Sequence, residues 1–132
     1  ELLAADGNLR FIVKEFPILG EESLLASRFA IAARMVAGDE AYSKIGAGFY
    51  ESFRGAVTDA TLRGFATDLG LDADAIMARM DDPEVTQIIE NNHLLAQRLQ
   101  IAGTPSFVIG DQLLRGYAPV DALKAIVAEE RG

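Results

Sequence analysis

Two short stretches of this sequence place chemically capable residues where their surroundings could use them. One is Lys14-Glu15, a cation and an anion side by side near the end of the mostly apolar run Leu9–Phe16 (LRFIVKEF). In an extended segment successive side chains point to opposite faces. If the run is covered on both faces, one of these charges must lie under whatever covers it. The competing reading is that both reach solvent at the end of the segment. The other stretch is Gly103-Thr104-Pro105-Ser106-Phe107, in which Thr104-Pro105 stands between a flexible glycine and an apolar strand. A proline is tolerated at a strand entrance because its missing N–H removes no ladder bond. An X-Pro bond there can be cis at a cost of only ~0.5–1 kcal/mol.

Other candidates reduce to surface. His93, the single histidine, falls in the polar patch Glu90-Asn91-Asn92-His93, and one histidine excludes the usual multi-histidine zinc site. Asp81-Asp82 and Glu129-Glu130 read as solvated helix ends. With no cysteine, these 132 residues hold no disulfide, no thiolate metal site and no thiol chemistry of their own. The net charge of −8 argues against a nucleic-acid partner, since no basic stripe is available to neutralise phosphates. No apolar run approaches the ~20 residues that span a bilayer. No cofactor or metal is expected.

The elements that must position these residues follow from the hydrophobic spacing. Residues 1–7 read as the last turns of an amphipathic helix closed by Gly7, which points to a segment ahead of Glu1. Leu9–Phe16 reads as a strand buried on both faces, as in a parallel sheet. Leu25, Phe29, Ala32 and Val36 share one face of a helix ending at Gly38. Asp39 can cap the next, with Tyr42, Ile45, Phe49 and Phe53 inward; Gly46 and Gly48 within it suit close packing. A third helix runs from about Thr58 to Gly70 and a short fourth from Asp72 to Met80. Asp82-Pro83 opens a long helix to about Gln100, with Val85, Ile88, Ile89, Leu95 and Leu99 inward. The period then changes. Ser106–Ile109 and Gln112–Leu114 flank Gly110-Asp111 as a hairpin. Pro119 opens a closing helix with Val120, Leu123, Ile126 and Val127 inward.

The segment GTPSFVIG, its return strand, Gly116-Tyr117 and a proline-opened helix together resemble the cis-proline hairpin of the thioredoxin superfamily. FIVKEFPILGEESLLASRFAIAA resembles the second strand and first inserted helix of DsbA-like proteins of bacterial envelopes. The resemblance covers nearly all of the chain. It implies an α/β thioredoxin-like fold with an inserted helical subdomain, its first strand and the start of its first helix missing from this chain. Residues 1–20 would supply the end of the first helix and the second strand. Residues 21–100 would form the insertion, and 101–132 the cis-proline hairpin and C-terminal helix. The absent first strand would lie between Leu9–Phe16 and Ser106–Ile109, leaving both with unpaired edges.

The resemblance further implies a thiol:disulfide oxidoreductase of the periplasm or cell envelope. Its Cys-x-x-Cys pair would lie just upstream of residue 1, at a helix N-terminus that stabilises the thiolate. Gly103, Thr104 and Pro105 would bind substrate, with Thr104 offering its backbone to an extended client peptide and Pro105 holding that backbone in place. Lys14 or Glu15 would be an auxiliary charge near the thiols. Partners would be client proteins carrying thiols or disulfides, and the scheme has room for a membrane redox partner. Two other activities fit the same fold. One is a redox-inactive peptide-binding or chaperone module; the other is a glutathione-dependent transferase or isomerase with serine in place of the first cysteine.

Overall fold

The computed structural model describes the whole chain, residues 1–132. In order, the elements are α1 (Leu2–Ala5), α2 (Glu21–Glu51), α3 (Asp59–Asp68), α4 (Ala73–Arg79), α5 (Pro83–Arg98), β1 (Ser106–Ile109), β2 (Gln112–Arg115) and α6 (Val120–Arg131). They fall into two compact units, one of Glu15–His93 and one of Glu1–Lys14 with Leu94–Gly132. Glu15 joins the helical unit because its carbonyl accepts from Asn92 Nδ2 at 2.9 Å and its side chain bonds α2.

The helical unit is built around phenylalanine and alanine. Phe29, Ile45, Leu62 and Ile76 are fully buried, and Ala30, Ala32, Ala33 and Ala66 let the helices approach closely. The Phe65 ring lies 5.0 Å from Phe49, 5.2 Å from Phe53 and 6.0 Å from Phe29, centroid to centroid. Burying a side chain of Phe29's size is worth ~1.5–3 kcal/mol. Gly48 faces this cluster, and a Cβ there would come within 2.7 Å of Phe65 Cζ. The expected close approach therefore belongs to Gly48; the space at Gly46 is open.

Local signals set the helix ends. Thr58 and Thr61 form a reciprocal capping box, at 3.1 and 2.9 Å, and Gly70 takes the positive φ of 74° that follows α3. Asp72 accepts from the Ala75 amide at 3.0 Å, and Asp82 from Glu84 at 2.8 Å. Gly38 breaks α2 as expected, with φ 83° and ψ −171°, leaving helical stretches over 21–37 and 39–51. Asp39 does not cap the second stretch as expected: its carboxylate instead takes the Arg34 Nε–H at 2.7 Å. On α5 the buried positions are Val85, Ile89, Asn92 and Ala96, whereas Leu95 and Leu99 stay exposed. The helix ends at Arg98, and Gln100 turns into positive φ, so the expected apolar stripe stops short of the last turn.

In the other unit β1 and β2 form an antiparallel pair, registered Ser106 with Arg115 through Ile109 with Gln112. Gly110 makes the turn at φ 55°, and a Cβ there would collide with the Glu130 carboxylate. That carboxylate accepts from the Asp111 amide at 3.1 Å, and Gln112 Nε2 reaches Glu129 and Glu130 at 3.3 and 3.2 Å. Glu129 and Glu130 thus hold the hairpin turn rather than merely solvating a helix end. Leu123 and Val127 form the buried side of α6. At the start of the chain α1 closes on Asp6, at φ −135°, not on Gly7.

Leu9–Phe16 is not a strand in this chain. The sheet contains β1 and β2 alone, so this segment has no neighbour to supply ladder bonds. Three successive apolar side chains remain largely uncovered: Phe11 at 59%, Ile12 at 54% and Val13 at 45% exposed.

Candidate functional site

The loop before β1 is where the family resemblance implies a binding function, and its local geometry is well defined. The Thr104-Pro105 peptide is cis. The Pro105 carbonyl accepts from the Gly116 amide at 2.9 Å, extending the β1–β2 ladder by one step beyond Ser106 and Arg115. Ser106 Oγ donates to the Gly103 carbonyl at 2.9 Å and closes the loop from its other side. Gly103, Thr104 and Pro105 are all exposed, and Thr104 takes part in neither of these closing bonds. Arg115, at the end of β2, donates from Nη2 to the carbonyls of Leu99 and Gln100 at 3.3 and 3.2 Å, fixing the chain that leads into the loop. The result is a braced loop with an uncommitted backbone at Thr104, beside a strand paired on one edge only.

Lys14 and Glu15 separate sharply. Lys14 is exposed. Glu15 is half-buried, and its two carboxylate oxygens are both used: one accepts from Ser27 Oγ at 2.9 Å, the other from the Tyr42 hydroxyl at 2.6 Å. Burial, and then the hydrogen bond to Glu15, pushes the Tyr42 phenol well above its ordinary value. Ser27, Tyr42 and Asn92 were not among the residues singled out from sequence. Tyr42 looked like core by its spacing and Asn92 like surface by its neighbours. Ser27 was the available signal, a polar side chain within two residues of the buried Phe29. His93 is exposed, as expected, with its ring edge-on to Phe16 at 5.0 Å. No group of three or more acidic or histidine side chains is placed to hold a metal ion.

The chain matches the DSBA-like thioredoxin domain over residues 1–128. It belongs to the DsbA-like thioredoxin family. Among solved structures it is similar to a thioredoxin-like oxidoreductase from Silicibacter pomeroyi DSS-3, at 36% identity and a TM-score of 0.83, covering 98% of this chain and 73% of that one. It is also similar to the thiol-disulfide exchange protein alpha-DsbA2 from Wolbachia pipientis, at 29% identity and a TM-score of 0.84, covering 96% and 68%. A periplasmic thioredoxin-like protein from Salmonella enterica serovar Typhimurium is similar at 27% identity and a TM-score of 0.69, covering 90% and 64%. No curated protein matches the chain. The fold is therefore the thioredoxin-like DsbA fold, mostly helical here, with a small two-stranded sheet. The DsbA-like family is one of thiol-disulfide oxidoreductases, and this member of it carries no cysteine in its 132 residues. No helix is long and apolar enough to cross a membrane.

Proposed function

We propose that these residues are the peptide-holding part of a thiol:disulfide oxidoreductase acting on protein disulfides in the cell envelope, whose Cys-x-x-Cys pair lies in a segment ahead of Glu1. The observation that carries this reading is the braced, exposed Gly103-Thr104-Pro105 loop at the head of β1, in a chain matched to the DsbA-like domain almost end to end. Thr104 would give its backbone to an extended client peptide, while Pro105 keeps that backbone in place. In this reading residues 1–20 and 101–132 belong to the thioredoxin core and 21–100 to the helical insertion. The uncovered Phe11-Ile12-Val13 would lie against a strand from the same upstream segment. With Glu15 committed to Ser27 and Tyr42, Lys14 is the charge left to tune the thiols. The envelope location draws support from the periplasmic Salmonella relative and from the persistence of disulfides in that compartment.

The experiment is direct. The residues preceding Glu1 are read, and the protein containing them is given a reduced, disulfide-requiring test protein as substrate. Oxidation that is lost on mutating an upstream cysteine pair supports the proposal; absence of any such pair ends it. The missing cysteines favour one second reading, a redox-inactive module that binds extended peptides. It predicts peptide binding sensitive to changes at Thr104, with no thiol exchange.

A further inference from the structure

Asp6-Gly7 is the single Asp-Gly pair of the chain, which has no Asn-Gly pair. In such a pair a bond from the following amide nitrogen to the side-chain carboxyl carbon closes a small unstrained ring. Glycine, lacking a Cβ, leaves that nitrogen open to approach. The turn after α1 brings the two groups together. Asp6 Oδ1 accepts from the Asn8 amide at 3.0 Å, an Asx turn that folds the side chain back over the Gly7 peptide. Gly7 is exposed, its amide takes no part in that bond, and a Cβ built on it meets no atom within 4 Å.

Arg131 works against this arrangement. Its guanidinium holds both Asp6 oxygens, at 2.6 and 3.1 Å, and reaches on to the Asn8 carbonyl at 2.7 Å. The Asp6 side chain is left only 23% exposed. A carboxylate is a poor electrophile, because a nucleophile would have to expel oxide; the uncharged acid expels water instead. The Arg131 hydrogen bond, and after it the Asn8 amide, lowers the carboxyl below its ordinary 3.8 and so keeps it in the unreactive charged form.

We propose that Asp6-Gly7 is a modification site, at which aspartate isomerises spontaneously to isoaspartate, and that Arg131 is the guard that slows it. In the first step the Gly7 nitrogen gives up its proton and bonds Asp6 Cγ, the Cγ–OH bond breaks, and water leaves behind a cyclic imide. In the second, water adds to either imide carbonyl and breaks that carbon's bond to nitrogen. Addition at Cγ restores aspartate; addition at the Asp6 main-chain carbon leaves Gly7 joined through the side chain. No atom is gained or lost overall, and nothing is oxidised. The isomer carries an extra methylene in its main chain and its carboxylate on the former main-chain carbon. Arg131 then loses the grip by which α6 fixes the turn, and α1, which packs on α6 in the same unit, is freed. The partner that fits the product is a methyltransferase selective for isoaspartyl carboxyls. Neither Asp6 nor Gly7 is assigned to clients or thiols, so the site stands apart from disulfide exchange.

The test ages the protein at neutral pH. Isoaspartate is counted by methyl transfer from S-adenosylmethionine with an isoaspartyl methyltransferase, and located by mass spectrometry in the tryptic peptide ending at Arg10. In Arg131→Gln it should accumulate at Asp6 ahead of every other aspartate, about three- to tenfold faster than in the native protein. A carboxyl whose midpoint rises by a full pH unit has about ten times the uncharged fraction at neutral pH. Arg131→Lys should fall between the two, in step with the Asp6 carboxyl midpoint followed by NMR. Gly7→Ala, which has open space and no positive φ to strain it, should cut the rate severalfold in the Arg131→Gln background. No excess of isoaspartate at Asp6 in Arg131→Gln overturns the proposal. So does a faster rate with an unmoved Asp6 midpoint, which would make Arg131 a fastener of the turn and no guard. A rate indifferent to Gly7→Ala overturns it as well.

Discussion

Arg131 grips both carboxylate oxygens of Asp6, at 2.6 and 3.1 Å, and gives a further hydrogen bond to the Asn8 carbonyl at 2.7 Å. One side chain near the end of α6 thereby fixes the turn that follows α1. Bidentate pairing of this kind adds geometric definition beyond what a point charge supplies. Asp6 answers with a carboxyl held below its ordinary 3.8, first by the Arg131 hydrogen bond and then by the Asn8 amide. A lowered carboxyl stabilises the fold above its unfolded value, and that contribution is lost as pH falls through the lower folded value. Arg131→Gln should return the Asp6 titration toward 3.8, as read from its side-chain carboxyl carbon by NMR.

Tyr42 has the opposite sign. Its phenol is raised, chiefly by burial and next by Glu15, so the folded state holds that proton longer than the unfolded chain does. The stabilisation is complete below about pH 10 and declines as pH rises toward the folded value. Between pH 9 and 11 the urea midpoint of the native protein should fall more steeply than that of Tyr42→Phe. Parallel curves would show that Tyr42 carries no such linkage.

Phe29 is the central side chain of the helical unit, fully buried against Phe49 at 6.3 Å and Phe65 at 6.0 Å. Phe29→Ala should cost ~3–5 kcal/mol by denaturant unfolding, because the surrounding rings can close the cavity only in part. An effect below about 1 kcal/mol would mean that the helices collapse onto the space.

At Thr104 the proposed contribution is main-chain, so the prediction depends on which atoms are removed. Thr104→Val keeps the amide and should leave client turnover within a few-fold. Thr104→Pro removes the N–H and should lower turnover by about tenfold or more, with the melting temperature checked to exclude loss of the fold.

The uncovered apolar side chains of Phe11, Ile12 and Val13 lead to a solution test. The 132 residues by themselves should bind a hydrophobic dye such as ANS and self-associate, as expected of a largely exposed apolar segment. The same residues joined to the proposed upstream segment should do neither. Equal dye binding by both would remove the argument for a covering strand.

What could be read in the sequence was mostly what neighbouring residues decide among themselves. The Asp82 cap, the Gly38 break and the Gly110-Asp111 turn each depend on a few adjacent positions, and each was legible. Leu9–Phe16 was not, because a strand needs a partner and this chain provides none. Leu95 and Leu99 have the right spacing for burial, but periodicity does not say where the covering element stops. At the candidate site, Gly103-Thr104-Pro105 was visible as a local motif. The Glu15 cluster was not, since its members Ser27, Tyr42 and Asn92 are brought together only by tertiary packing.

Gly48 and Phe65, finally, share one volume: the ring occupies the place where a side chain on residue 48 would begin. Evolution can therefore spend that space at either position but not at both. Among homologues the two sites should co-vary, a larger residue at 48 appearing with a smaller one at 65. Change at either position alone should be rare.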